Sequence, residues 1–143
     1  MIQQKNIRII DEVADWKEAI SQAVMPLIEN GYVETRYVDS IIENTEKFGP
    51  YYVIAPNIAL PHARPEQGVL KKQLGILLLR HPIKFSQDGF DVRLLITLAA
   101  SDSESHLQTL SKLSDILGDD DRIGKILGAS SVEEIYRLFT LGY

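Results

Sequence analysis

Apolar positions along this chain change their spacing several times, and each change marks an element. Asn6-Ile7-Arg8-Ile9-Ile10 alternates and predicts a first strand. Trp16, Ala19, Ile20, Ala23, Val24, Leu27 and Ile28 then recur at helical spacing. Asp15 is placed to cap that helix, Glu18 to complete a capping box, and Gly31 to end it. Pro26 falls inside the pattern and predicts a kink or an early break. A second helix follows, with Thr35 as its cap, Tyr37, Val38, Ile41 and Ile42 on one face, and its end near Gly49-Pro50.

The middle of the chain reads as sheet. Tyr51–Ala55, Asn57–Leu60, Gln73–Leu79 and Val92–Ala99 predict strands. The last two are apolar at nearly every position, which implies burial on both faces. His81-Pro82 and Asp88-Gly89 mark the connection between them. Helix spacing then returns. Leu107, Leu110, Leu113 and Leu117 form a stripe stopped by Gly118. Asp119, Asp120 and Asp121 suit the positive start of a helix over 122–127. Ser131 caps a last helix, with Glu134 completing its box. Helices on either side of a run of strands predict a layered α/β domain, a central mixed sheet of about five strands flanked by helices.

Composition narrows the function classes. A chain of 143 residues with 45% apolar and 24% charged residues fits one domain with a single core over 1–143. The net charge of −5 argues against a nucleic-acid partner, which asks for a basic face. Arg64, Lys71, Lys72, Arg80 and Lys84 remain candidates for a local basic rim. The absence of cysteine removes disulfides, thiolate metal sites and cysteine nucleophiles. No signal-peptide core follows Met1, and the longest apolar runs fall far below the ~18 residues of a membrane span. A soluble cytoplasmic protein is the expectation.

The chemistry centres on three histidines. His62 stands between Pro61 and Pro65, at the end of an apolar run and next to Arg64. The prolines stiffen this turn. His62 is then either a polar turn residue or a neutral imidazole presented as a nucleophile. His106 follows Ser101-Asp102-Ser103-Glu104-Ser105. A capping box of Ser101 with Glu104, or a cap at Ser103, would put His106 in the first turn of a helix, beside amides that attract anions. The alternative is a solvent-exposed residue at a helix start. Its place after the strand ending at Ala99 puts it at the edge where α/β sites form. His81 reads as surface. Zinc bound by the three histidines lacks the helical i, i+4 pair and an associated acid. There is no Gly-x-Ser-x-Gly elbow and no glycine-rich nucleotide loop.

Ile58-Ala59-Leu60-Pro61-His62-Ala63 resembles the active-site motif of enzyme IIA domains of the mannitol–fructose type, from the bacterial phosphoenolpyruvate-dependent sugar phosphotransferase system. The longer run Ala59–Val69 looks most like the ascorbate-type branch. The resemblance extends over almost the whole chain, through Gly31-Tyr32-Val33, Tyr51–Pro56 and Ser105-His106-Leu107. It implies a phosphotransferase with a phosphohistidine intermediate and no cofactor. His62 would take a phosphoryl group from the histidine-containing phosphocarrier protein and pass it to a cysteine of a separate enzyme IIB. That partner in turn serves a membrane permease, enzyme IIC. His106 would support the phosphoryl group, with Arg64 as a phosphate-binding candidate. Mannitol-type members often have an acidic residue six positions before the active histidine, where this chain has Pro56. Nitrogen-type relatives use the same histidine for regulation, which is the alternative reading.

Overall fold

The computed structural model describes residues 2–140. Five strands form one mixed sheet: β1 (Ile7–Ile10), β2 (Val53–Ala55), β3 (Asn57–Ala59), β4 (Gln73–Lys84) and β5 (Asp91–Ala99), in the order β1-β4-β5-β3-β2. β1 runs parallel to β4 and β3 parallel to β5, while β4–β5 and β2–β3 are antiparallel. The helices are α1 (Trp16–Glu29), α2 (Arg36–Phe48), α3 (Ser103–Leu117), α4 (Asp120–Leu127) and α5 (Val132–Thr140).

The sheet is the middle of three layers because its central strands are apolar on both faces. Leu74, Ile76 and Leu78 of β4, with Leu94, Ile96 and Leu98 of β5, pack with Leu113, Ile116, Ile126, Ile135 and Leu138 from α3, α4 and α5. Leu77, Leu79, Leu95 and Ala99 point the other way, into Ala19, Ile20, Val24 and Leu27 of α1 and Tyr37 and Ile41 of α2. This alternation is the period-2 geometry of a strand with both sides covered. Gly75 lets α1 approach closely, since a Cβ there would sit 3.3 Å from Leu27 Cγ.

Asp15 and Ser131 cap α1 and α5 as the sequence predicts, but Glu18 and Glu134 return their side chains to the amide one residue before the cap, Ala14 and Ser130, rather than closing the expected boxes. The Glu18 amide donates to Asp15 Oδ1 (2.9 Å), and Glu18 Oε1 reaches back to the Ala14 amide (2.8 Å). The Glu134 amide donates to Ser131 Oγ. Asp119 caps α4 by accepting from the Arg122 amide.

Several expectations change: β2 starts at Val53 rather than Tyr51, β3 ends at Ala59 rather than Leu60, and α4 starts at Asp120 rather than 122. Asn6 belongs to a 3-10 turn, Gln4–Asn6, and β1 starts one residue later. α1 is not broken at Pro26 but runs on to Glu29; Pro26 and Leu27 are buried against the core, and the Asn30 amide still finds the Pro26 carbonyl. Thr35 makes no capping bond, because its own backbone is already helical (φ −54°, ψ −37°) and Glu34 accepts the Tyr37 amide instead. β4 continues through His81-Pro82 to Lys84. Its ladder with β5 slips between Leu78 and Ile83, so Pro82 sits in a stretch where no donor is required of it.

The different fates of Asp15 and Thr35 give a stability test. Asp15→Ala removes a working cap and lowers stability by about 1 kcal/mol, whereas Thr35→Ala removes none and costs only a few tenths. Chemical denaturation of the two variants measures this; equal losses would contradict the capping assignment.

Candidate functional site

Parallel strands end on the same edge of a sheet, and β3 and β5 are parallel neighbours. Beyond β3 the chain forms the Leu60–Arg64 turn that holds His62. Beyond β5 it passes Ala100 and Ser101 into α3, which carries His106. The Leu98 amide of β5 donates to the Pro61 carbonyl (2.9 Å), extending the strand contact to the residue before His62. The two imidazoles meet there, with ring centroids 5.0 Å apart.

His62 is held on several sides. Its Nδ1 lies 2.8 Å from the Leu60 carbonyl oxygen. A carbonyl only accepts, so Nδ1 carries the proton and the neutral ring keeps its free lone pair on Nε2. The Tyr51 hydroxyl donates to the His62 carbonyl, and the Tyr51 ring stands edge-on to the imidazole at 5.3 Å. The Ala63 amide donates to the Tyr37 hydroxyl (3.0 Å) and the Arg64 amide to Gln67 Oε1 (2.8 Å), which in turn accepts from Asn44.

His106 lies in the first turn of α3, as expected, but the cap is Asp102 rather than Ser101 or Ser103. Asp102 has the extended backbone a cap needs (φ −162°), and its carboxylate accepts from the Ser105 amide (2.7 Å). Ser105, not Glu104, returns its side chain to the Asp102 amide. The His106 amide is committed to the Asp102 carbonyl. The amides of Ser103 and Glu104, at the first two helical positions, have no carbonyl partner within the helix and give this end its positive character.

A cavity of about 590 Å³ lies over these groups, lined by His62, His106, Arg64, Asn44, Asp102 and the apolar side chains of Phe48, Tyr51 and Leu107. Arg64 is thus placed with both histidines and is exposed. Leu107 is not part of the buried stripe: it is 66% exposed at the cavity rim. At 3.6 residues per turn it points about 120° away from the buried Leu113.

The other candidates lie elsewhere. His81 is exposed and pairs with Asp11, its Nδ1 3.2 Å from the Asp11 carbonyl. Among the described residues no three histidine, cysteine or acidic side chains converge as metal ligands. The five cations do not form one rim. Arg80 donates to the Ala129 carbonyl, Lys84 pairs with Asp91, Lys72 lines a separate groove and the Lys71 amide donates to the Tyr32 carbonyl; of the five, Arg64 lines the cavity. The sequence reading missed Tyr51 and Tyr37, because a tyrosine's hydroxyl partners lie far away in the chain and leave no local pattern.

The whole described fold and nearly the whole chain have known counterparts. Residues 1–141 match the family model of the phosphoenolpyruvate-dependent sugar phosphotransferase system, EIIA 2. The ascorbate-specific EIIA component of Escherichia coli is 34% identical over 96% of this chain and 91% of its own length. The solution structure of the mannitol-specific cryptic enzyme IIA of Escherichia coli is similar at a TM-score of 0.91, with 33% identity over 99% of this chain and 96% of that one. The mannitol enzyme IIA of Escherichia coli, in complex with phosphorylated enzyme IIB, is similar at a TM-score of 0.84, with 29% identity over 97% of this chain and 96% of that one.

Burial, and after it the charge of His62, hold His106 below its ordinary value of 6.5, so it is neutral at neutral pH. NMR titration therefore finds the His106 midpoint below 6.5, and His62→Ala moves it part of the way back. The folded protein binds this proton less readily than the unfolded chain. Its contribution to stability falls as pH drops through 6.5 and levels off below the folded midpoint. A midpoint unmoved by His62→Ala would remove the coupling between the rings.

Proposed function

This chain belongs to the EIIA 2 family of the phosphoenolpyruvate-dependent sugar phosphotransferase system, and from that membership we propose that His62 is its phosphorylated residue and His106 the side chain that steadies the phosphoryl group. As a family member the protein is a phosphotransferase that carries a phosphohistidine intermediate and passes the group to an enzyme IIB. The observation that carries the residue assignment is the bond from Nδ1 to the Leu60 carbonyl. It leaves Nε2 as the nucleophile on a residue that shares a cavity with a second imidazole. An acidic residue at Pro56 is not needed to orient the ring, since the main chain supplies the acceptor.

The transfer then runs in two balanced steps. The Nε2 lone pair of His62 attacks phosphorus on the donor, the histidine-containing phosphocarrier protein. A new N–P bond forms while the donor's N–P bond breaks and returns its electron pair to the donor ring. Next a cysteine thiolate of enzyme IIB attacks the same phosphorus; an S–P bond forms, and the N–P pair returns to Nε2. The proton stays on Nδ1 throughout, donated to the Leu60 carbonyl. Phosphoryl transfer is chiefly positioning and charge stabilisation. Neutral His106, the start of α3 and Arg64 supply that stabilisation without a proton leaving the site.

The rim supports serial docking of two proteins. Phe48, Tyr51 and Leu107 are large apolar side chains left exposed around the cavity, which suits a shallow face that proteins cover in turn. No helix of the described residues is long and apolar enough to cross a membrane; work in the cytoplasm beside a separate permease, enzyme IIC, is part of the proposal. Ascorbate is the proposed sugar, supported by the likeness of Ala59–Val69 to the ascorbate-type branch.

With phosphoenolpyruvate, enzyme I and the phosphocarrier protein supplied, His62→Ala stays folded and takes up no acid-labile phosphoryl group. His106→Ala is still phosphorylated but hands the group to IIB about 10²–10³-fold more slowly. Arg64→Ala slows both steps modestly. Phosphorylation of folded His62→Ala sinks the assignment, and normal transfer by His106→Ala or Arg64→Ala removes that residue from the site.

The sugar is decided by which IIB accepts. Transfer to an ascorbate-type IIB is expected to outrun transfer to a mannitol-type IIB under the same conditions. The reverse order would overturn the ascorbate assignment and leave the phosphocarrier role intact.

A further inference from the structure

Tyr37, in the first turn of α2, is wholly buried, yet its hydroxyl is not a bystander in the core. It donates to the Leu98 carbonyl on β5 (2.7 Å) and accepts from the Ala63 amide beside His62 (3.0 Å), with the Ala63 carbonyl at 3.3 Å. The Leu98 amide holds the Pro61 carbonyl on the other side of His62 (2.9 Å). The residues before and after His62 are therefore both tied to one residue of β5, one directly and one through Tyr37. From Leu98 the chain runs through Asp102 into α3 and His106.

We propose that Tyr37 is a positioning residue, whose hydroxyl ties the His62 turn to the strand leading to His106 and so sets the spacing of the two imidazoles. This rests on the two-histidine reading above.

The base of the side chain is backed by a close approach. Gly68 has φ +137° and packs so closely that a Cβ there would lie 3.1 Å from Tyr37 Cβ. The Gly68 carbonyl accepts the Glu34 amide (2.8 Å), pinning the entry to α2. Burial pushes the Tyr37 hydroxyl up to about 12, so it keeps its proton through the working range. It touches no transferring atom. Its effect is exerted through the main chain on both sides of His62.

Tyr52 supplies a matched control. It is equally buried, and its hydroxyl bonds to Thr45 Oγ1 (2.6 Å) without touching the His62 turn. Tyr37→Phe and Tyr52→Phe each remove one buried hydroxyl and keep the ring. Both are assayed below their melting temperatures, with phosphoenolpyruvate, enzyme I, the phosphocarrier protein and IIB. Tyr37→Phe is expected to lower kcat for transfer to IIB by about 10²-fold, the size of effect that a small misplacement at a distance produces, with KM for IIB unchanged. Tyr52→Phe keeps the wild-type kcat. NMR adds a readout that needs no transfer at all: in Tyr37→Phe the His106 midpoint rises toward 6.5, because the rings separate and His106 gains solvent. If His62 is not the phosphorylated residue, the functional reading fails, and this titration still judges Tyr37.

A wild-type kcat in Tyr37→Phe, a kcat loss matched by Tyr52→Phe, or an unmoved His106 midpoint would each overturn the proposal. Should Tyr37→Phe fail to fold, the wild-type protein decides. A slowly exchanging Tyr37 hydroxyl proton with a nuclear Overhauser contact to the Ala63 amide supports the tie, and its absence overturns it.

Discussion

The parallel pairing of β3 with β5 is the contact on which the site depends, because it sends two segments distant in sequence out of the same edge of the sheet. One segment turns sharply at Leu60–Arg64 and presents His62. The other bends into α3 and presents His106. β5 is buried on both faces and paired on both edges, so it is a rigid datum for both histidines. A main-chain bond from Leu98 carries that rigidity one step beyond the end of β3. Loops anchored in this way keep catalytic geometry without being buried themselves.

Within that frame the electrostatics are set mostly by the backbone. The Leu60 carbonyl selects the tautomer of His62. The capping of α3 by Asp102 and Ser105 leaves two amides at the helix start and places His106 just behind them. Arg64 is the permanent cation of the cavity, while His106 is kept neutral by burial and by its neighbour. A neutral imidazole donates a hydrogen bond to a phosphoryl oxygen and still lets the group go, whereas added fixed charge would hold it more tightly. A carrier that must first accept and then release the same group gains from that balance.

The apolar rim belongs to the same logic. Exposed Phe48 and Leu107 weaken nothing in the core, whose two halves close on the sheet without them. Their exposure has a use only when another surface covers the cavity. Charge stabilisation also grows as a docking protein excludes water from the site. On the proposed reading, position and solvent exclusion are divided between this chain, which fixes the histidines, and its partners, which dry them.

Much of this was legible in the residues alone. Apolar runs in β4 and β5 identify a sheet covered on both sides, since no polar position is spared for solvent. Asp15 and Ser131 identify helix starts, because a cap acts on amides two or three residues away, and the three aspartates at 119–121 mark another by their charge. Pro61-His62-Ala63 singles out the candidate turn through its stiffness and its family likeness. What the sequence could not decide involves partners outside the local window. Thr35 has the right chemistry for a cap but a helical backbone, and Asp102 displaces Ser101 through its extended one. Leu107 keeps helical spacing with the core yet points off it, because the face of α3 that meets the sheet is chosen by packing. Tyr37 and Tyr51 look like any aromatic residues until the fold brings their hydroxyls to Ala63, Leu98 and His62. Local hydrogen bonds and periodicity are written in neighbouring residues; the spacing of two imidazoles is written only in the pairing of strands that the chain must fold to bring together.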